Sequence, residues 1–215
     1  SQLTEITFPS SITIIGERSF KDCSQLSKIT LPSSLKEIGS EAFKGCSSKI
    51  EIDGNIQHLP NNSFEGCNQL TEIILPSSIT IIGDKSFKNC SQLSKITLPS
   101  SLNIIGSESF EGCSKLKEIN LPSSITVIGN KFFKNCSKLA KITLPSSLNE
   151  IGFESFEGCN QLLEINLPSL ITIIGERSFK DCSQLKKITL PSSLTKIGSE
   201  SFEGCSQLTE ITFPS

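Results

Sequence analysis

Residues 31–47 read LPSSLKEIGSEAFKGCS, and with small edits the same stretch recurs along the whole chain. One cysteine closes each copy, at Cys23, Cys46, Cys67, Cys90, Cys113, Cys136, Cys159, Cys182 and Cys205. Of the eight intervals between them, seven are 23 residues long and one is 21. A fixed period of this size marks stacked units that form one elongated body. It replaces the one or two globular domains that a length of 215 residues would otherwise predict. The chain therefore reads as a single array over 1–215: about nine 23-residue units, an irregular 21-residue unit at 47–67, and no caps.

Counted from the residue after each cysteine, one unit is S-Q-L-x-x-I-x-L-P-S-S-(I/L)-x-x-I-G-x-x-S-F-x-G-C. The alternation in L-x-x-I-x-L, as at Leu26, Ile29 and Leu31, predicts a short strand with one buried face. Pro32 follows, where a residue without an amide donor fits the exit of a ladder. Ten such strands, from TEITFP at 4–9 to TEITFP at 209–214, each joined to the next in the same direction, predict one parallel sheet. The apolar pair that comes next, such as Leu35 and Ile38, fits either a bend or a second short strand. Gly39 then permits a tight turn, and Ser40 is placed to cap a single helical turn ending near Cys46. Asp84, Ser107, Asn130 and Ser199 occupy equivalent cap positions.

Why one thiol per unit? Phe43 and Cys46 sit three apart, so one helical turn would aim both inward. Cysteine behaves as a small hydrophobe and is among the most buried residue types. A column of free thiols beside the column of Phe20, Phe43, Phe64 and their counterparts is therefore expected. Disulfides fit poorly, since nine is odd and pairing would break the equivalence of the units. Metal binding needs clustered ligands, and a C-x22-C spacing without a histidine partner supplies none.

Composition narrows the function classes. The apolar fraction is 36%, without Trp, Tyr or Met, and suits a core in which each unit packs on a near-copy of itself. A net charge of −2 gives no electrostatic footprint for nucleic acid. No apolar run approaches the ~20 residues that span a bilayer, so no membrane insertion is expected of this stretch. The chain starts in mid-repeat without an initiator Met and reads as an array cut from a longer protein. The lone His58 cannot complete a Ser-His-Asp or Cys-His pair, so neither enzyme activity nor a cofactor is expected.

A second rhythm overlies the first. The strand position before the first Ile alternates Glu5, Lys28, Lys49, Glu72, Lys95, Glu118, Lys141, Glu164, Lys187, Glu210, with one breach at the irregular unit. Two positions beyond Gly39 keep the same beat, one column running Arg18, Glu41, Asn62, Lys85, Glu108 and the other Lys21, Lys44, Glu65, Lys88, Glu111. Strands ~4.8 Å apart would set like charges against each other, and alternation avoids that. It also matches each unit to a neighbour of opposite sign, which would hold register.

The pattern L-x-x-I-x-L-P-x-x-(I/L)-x-x-I-G-x-x-(S/A)-F-x-x-C resembles the BspA-type leucine-rich repeat, the treponemal class, over essentially the whole chain. The resemblance implies an α/β repeat: a right-handed leucine-rich-repeat solenoid with a parallel β-sheet on the concave face and short helical turns or 3-10 segments on the convex side. It also implies a non-enzymatic, adhesin-like module, extracellular or on the cell surface, with a protein or glycan partner. On that reading the concave-face residues are Lys28, Thr30, Lys49, Glu51, Glu72, Ile74, Lys95, Thr97, Glu118, Asn120, Lys141, Thr143, Glu164, Asn166, Lys187 and Thr189. The irregular unit replaces Pro-Ser-Ser with Asp53-Gly54-Asn55 and predicts an altered loop carrying Asp53, Asn55 and His58. A second reading is structural, with arrays associating end to end into fibres, because SQLTEITFPS at 1–10 recurs at 206–215.

Overall fold

A computed structural model describes residues 4–46 and 49–213. The chain winds through repeated coils, each opening with a strand of three or four residues and continuing into one of two. The first three coils hold β1 (Glu5–Thr7) and β2 (Ile14–Ile15), β3 (Lys28–Leu31) and β4 (Glu37–Ile38), then β5 (Lys49–Ile52) and β6 (His58–Leu59). Coils 4 to 6 hold β7 (Glu72–Ile74) and β8 (Ile81–Ile82), β9 (Lys95–Thr97) and β10 (Ile104–Ile105), β11 (Glu118–Asn120) and β12 (Val127–Ile128). Coils 7 to 9 hold β13 (Lys141–Thr143) and β14 (Glu150–Ile151), β15 (Glu164–Asn166) and β16 (Ile173–Ile174), β17 (Lys187–Thr189) and β18 (Lys196–Ile197). The last described strand is β19 (Glu210–Thr212).

All pairings are parallel and in phase, so Ile6 faces Ile29 and Ile29 faces Ile50. The open choice after the proline resolves as a second strand, which builds a flanking ladder of its own. The single continuous sheet expected from the sequence is not formed. The odd strands join as β1-β3-β5, β7-β9, β11-β13 and β15-β17-β19; the even ones as β2-β4, β6-β8-β10 and β12-β14-β16-β18. Among the described residues, the junction between coils 5 and 6 is the one where neither ladder continues.

The turn side departs further from expectation. No helix is present among the described residues; the segment after each glycine is a run of turns. Its amides explain why. Alternate N–H groups, those of Arg18, Phe20 and Asp22, donate to Ser40, Ala42 and Lys44 of the next coil at 2.7 to 3.1 Å. The amides between them fold back three residues, as Lys21 does to Arg18. Donors committed to the neighbouring coil cannot close an α-helix, and the alternation needs left-handed backbone twice per coil. One such position is charged or polar, as at Arg18 (φ 55) and Glu41 (φ 56); the other carries Asp, Asn or Gly, as at Asp22 (φ 58), Gly45 (φ 73) and Asn89 (φ 59). Two of the residues expected as helix caps bond across coils instead: Asp84 Oδ1 accepts the Ser107 amide at 2.8 Å, and Asn130 Oδ1 the Phe153 amide at 3.0 Å.

The core is a bundle of identical columns. Phe20, Phe43, Phe64, Phe87, Phe110, Phe133, Phe156, Phe179 and Phe202 stack with centroids 5.2 to 5.9 Å apart, an offset arrangement that aromatic rings favour. The coils approach so closely at the glycine of I-G that a side chain has no room. A Cβ on Gly39 would lie 2.3 Å from the Glu17 nitrogen, and one on Gly175 would lie 2.6 Å from the Gly152 carbonyl carbon.

Candidate functional site

The two faces of the array handle charge differently. On the turn side, cations of one coil reach carboxylates of the next. Arg18 and Lys21 hold Glu41 at 3.0 and 2.7 Å, and Lys88 sits between Glu108 and Glu111 at 2.6 and 3.0 Å. Lys134 bonds Glu154 and Glu157, and Arg177 and Lys180 meet Glu200 at 2.7 and 2.9 Å. The hydrogen bonds from Arg18 and Lys21 hold the Glu41 carboxyl down at about 2, and those from Arg177 and Lys180 do the same for Glu200. These charges are used up in joining coils.

On the face of the odd strands the register sets Glu5 opposite Lys28, Glu72 opposite Lys95, Glu118 opposite Lys141 and Glu164 opposite Lys187, as the alternation implies. Among the described residues, only Lys187 and Glu210 close to an ion pair within that column, at 2.9 Å. The breach in the alternation places Lys28 opposite Lys49. Glu51, standing where other units carry Thr, repairs it: it lies 3.0 Å from Lys28 and 3.2 Å from Lys49, and those two hydrogen bonds lower its carboxyl below the ordinary range. Thr30, Thr97, Asn120, Thr143, Asn166 and Thr189 line the column beside the charges, with Ile74 at 70% exposure among them.

The three residues assigned to an irregular loop separate in space. Asp53 borders a hollow on the strand face with Lys28 and Thr30. Asn55 and His58 border a different one with Lys36 and Glu37. His58 is exposed on β6, in register with Ile81 of the flanking ladder, and not on a loop.

All nine cysteines are free; seven are buried, and Cys23 and Cys205 are half-buried. Each from Cys46 onward donates its S–H to the phenylalanine carbonyl of the preceding coil: Cys46 to Phe20 at 3.0 Å, Cys113 to Phe87 at 3.2 Å, Cys205 to Phe179 at 3.1 Å. Burial pushes the Cys46 thiol up to about 12 and Cys205 up to about 11, far from a reactive thiolate. Among the described residues, no three His, Cys, Asp or Glu side chains gather as a metal site.

Two serine columns escaped the reading of the sequence. Ser86, Ser109, Ser178 and Ser201 are buried, and each donates to a glycine or proline carbonyl of its own coil or of the one before. The second Ser of Pro-Ser-Ser bonds the preceding coil too, as Ser101 does to Ile79 at 2.8 Å. The recurrence of Ser at most of these positions was the available signal. Phe132 interrupts the first column: fully buried, it packs against Phe110 of the preceding coil at 5.5 Å.

Comparison with known proteins agrees with this architecture. The profile of the BspA type leucine rich repeat region matches in six copies, over residues 1–117 and 103–215. A leucine-rich repeat protein from Bacteroides ovatus is 29% identical, with a TM-score of 0.51 over 98% of this chain and 73% of its own. The leucine-rich repeat protein of T. pallidum is 28% identical, with a TM-score of 0.71 over 75% of this chain and 79% of its own. The pneumococcal vaccine antigen PcpA is 25% identical, with a TM-score of 0.72 over 97% of this chain and 60% of its own. No curated protein sequence matches. Stacked in-phase coils, a parallel strand face and matching repeats over the whole length make this chain a member of the BspA-type leucine-rich-repeat family.

Proposed function

We propose that the chain is a non-enzymatic, adhesin-like binding module, extracellular or on the cell surface, that recognises a protein or glycan through the face of the odd strands, the concave face of this fold. The observation that carries the reading is the unequal use of charge. Turn-side cations are spent on bonds between coils, whereas most charged side chains of the strand face point into solvent unpaired and flank a Thr/Asn column. Solenoids offer such extended surfaces to partners. Family membership and the likeness to a vaccine antigen support a surface role.

The test is adhesion of the purified chain to host cells and matrix proteins, with and without substitutions on the strand face. Exchanging Thr97, Asn120, Thr143 and Asn166 for Ala should reduce adhesion while leaving the circular dichroism spectrum unchanged. Adhesion that survives these changes, or that never occurs, would overturn the proposal.

A further inference from the structure

We infer that the open seam between coils 5 and 6 binds an anionic polysaccharide, a sulfated or uronic-acid chain. The inference rests on the strand face being the binding face, and it assigns a place and a ligand class within it.

Phe132 sits at the seam. In the other coils a small residue, usually serine, occupies this position, and its hydroxyl sits against glycine or proline carbonyls. Here an aromatic ring fills that space and lies against Phe110 of the preceding coil. The differences are local. The amide of the I-G glycine reaches back at 2.7 or 2.8 Å in coils 2, 4, 5, 7, 8 and 9, from Gly39, Gly83, Gly106, Gly152, Gly175 and Gly198. Gly129 makes no such bond to Ile105. A Cβ on Gly129 would first meet the Ser107 hydroxyl at 3.0 Å, whereas those on the six bonded glycines would first meet other atoms at 2.3 to 2.8 Å. Both ladders stop here, and the backbone bonds that tie Leu75 to Thr97 and Lys95 to Thr71 at the preceding junction have no equivalents from Leu98 and Glu118 among the described residues.

The opening is a hollow of about 640 Å³ bordered by Lys95, Lys117 and Lys141, with Thr97 and Asn120. None of the three ammonium groups is ion-paired among the described residues, although Lys131 and Lys134, on the turn side of coil 6, both are. Glu118 stands among the lysines, leaving the rim cationic by two charges. Unpaired cations around an open hollow, with the Thr97 hydroxyl and the Asn120 amide beside them, are the complement of an oxyanion.

The geometry favours a polysaccharide over a peptide. Cα atoms of β9 and β11 still lie within 8 Å of each other. Inserting a peptide strand would require about 9.6 Å, twice the ordinary spacing. The face also lacks the aromatic anchors on which protein partners concentrate binding energy. A chain lying across the seam, lowering carboxylate or sulfate groups onto the lysines and hydroxyls onto Thr97 and Asn120, meets both conditions.

The experiment is binding to heparin at low salt, with neutral dextran and polyglutamate as comparison ligands. The triple variant Lys95→Gln, Lys117→Gln, Lys141→Gln should bind heparin about tenfold more weakly or worse, since rim charges act on both encounter and hold. A second triple, Lys36→Gln, Lys138→Gln, Lys196→Gln, removes the same charge away from the strand face and should stay within about twofold of the parent. Phe132→Ser changes no charge and closes the seam, so it should also weaken binding. Equal losses in the two triples, polyglutamate binding as tight as heparin, or an unaffected Phe132→Ser would each overturn the inference. Adhesion that persists while heparin is ignored would sink this assignment alone and leave the proposed function standing. Loss of both would sink the two together.

Discussion

A buried thiol that only fills space and one that also donates a hydrogen bond respond differently to substitution. Cys113 donates to Phe87 at 3.2 Å from a site with no solvent access. Replacing it with Ala removes both roles and should lower stability by about 1–2 kcal/mol. Cys113→Ser keeps a donor; if the S–H bond contributes, Ser should be no worse than Ala, whereas a purely apolar site would penalise the hydroxyl more. Urea titration of the two variants decides it. The inward cysteine was readable from its spacing to phenylalanine, but the bond was not, because its acceptor lies 26 residues earlier, in the preceding coil. Glu51 is a similar case: the sequence put it on the strand face, but only register places it between Lys28 and Lys49. Glu51→Thr, which restores the repeat, should lower the thermal midpoint, and more so at low salt, where the exposed lysine pair is least screened.

Within a coil, the turn segment shows how cross-coil bonding overrides local preference. Its sequence fits a capped helical turn, yet its amides find partners in the next coil. The alternation of Asp or Asn with Gly at the second left-handed position was the overlooked sign, since these residues tolerate that backbone. It also has a steric partner. A Cβ on Gly112 would sit 2.4 Å from Asn89 Oδ1, and one on Gly158 2.8 Å from Asn135 Oδ1, so the Asx of one coil lies over the Gly of the next. Charge and shape thus repeat every two coils. The strands, the buried Ile, Leu and Phe, and the phase of the stack were legible because they follow from period and alternation; the broken ladders were not, since they depend on how closely successive coils approach, which period and alternation leave open. The I-G glycines give a graded test. Gly175→Ala drives a methyl into backbone and should cost about 2–3 kcal/mol, whereas Gly129→Ala at the seam should cost under about 1 kcal/mol. Chemical denaturation of both variants measures the difference.

Over the whole array, ion pairs between coils tie stability to pH. The Glu41 and Glu200 carboxyls are depressed to about 2 by the cations that hydrogen-bond them, against 4.5 when free. A depressed carboxyl stabilises the folded chain fully above its free value and loses that contribution as pH falls toward the folded one. Thermal midpoints should therefore drop between about pH 4.5 and 2, and Glu41→Gln with Glu200→Gln should flatten that part of the curve. Glu200 is exposed and Glu41 half-buried, so added salt should flatten it too, mainly through Glu200.

The seam sets how the array comes apart. In a solenoid each coil is held only by its neighbours, so cooperativity is limited by the weakest junction. Between coils 5 and 6 both ladders and the glycine bond are missing among the described residues, and what continues is the phenylalanine column, the side-chain bonds of Ser124 to Leu102 and Cys136 to Phe110, and the turn-side amides of Glu108, Phe110 and Gly112, which bond Asn130, Phe132 and Lys134. Opening there should occur at lower free energy than global unfolding. Native-state hydrogen exchange reads it directly: the Gly129 amide should exchange far faster than Gly106 or Gly152, which are bonded to Ile82 and Ile128 at 2.8 Å. Phe132→Ser should slow Gly129 to the rate of its neighbours and sharpen the urea transition, because the two halves then share continuous ladders. Equal protection of Gly129 and Gly152 in the parent chain would mean that the stack opens at every junction alike, and the ring at 132 would then be an ordinary core residue.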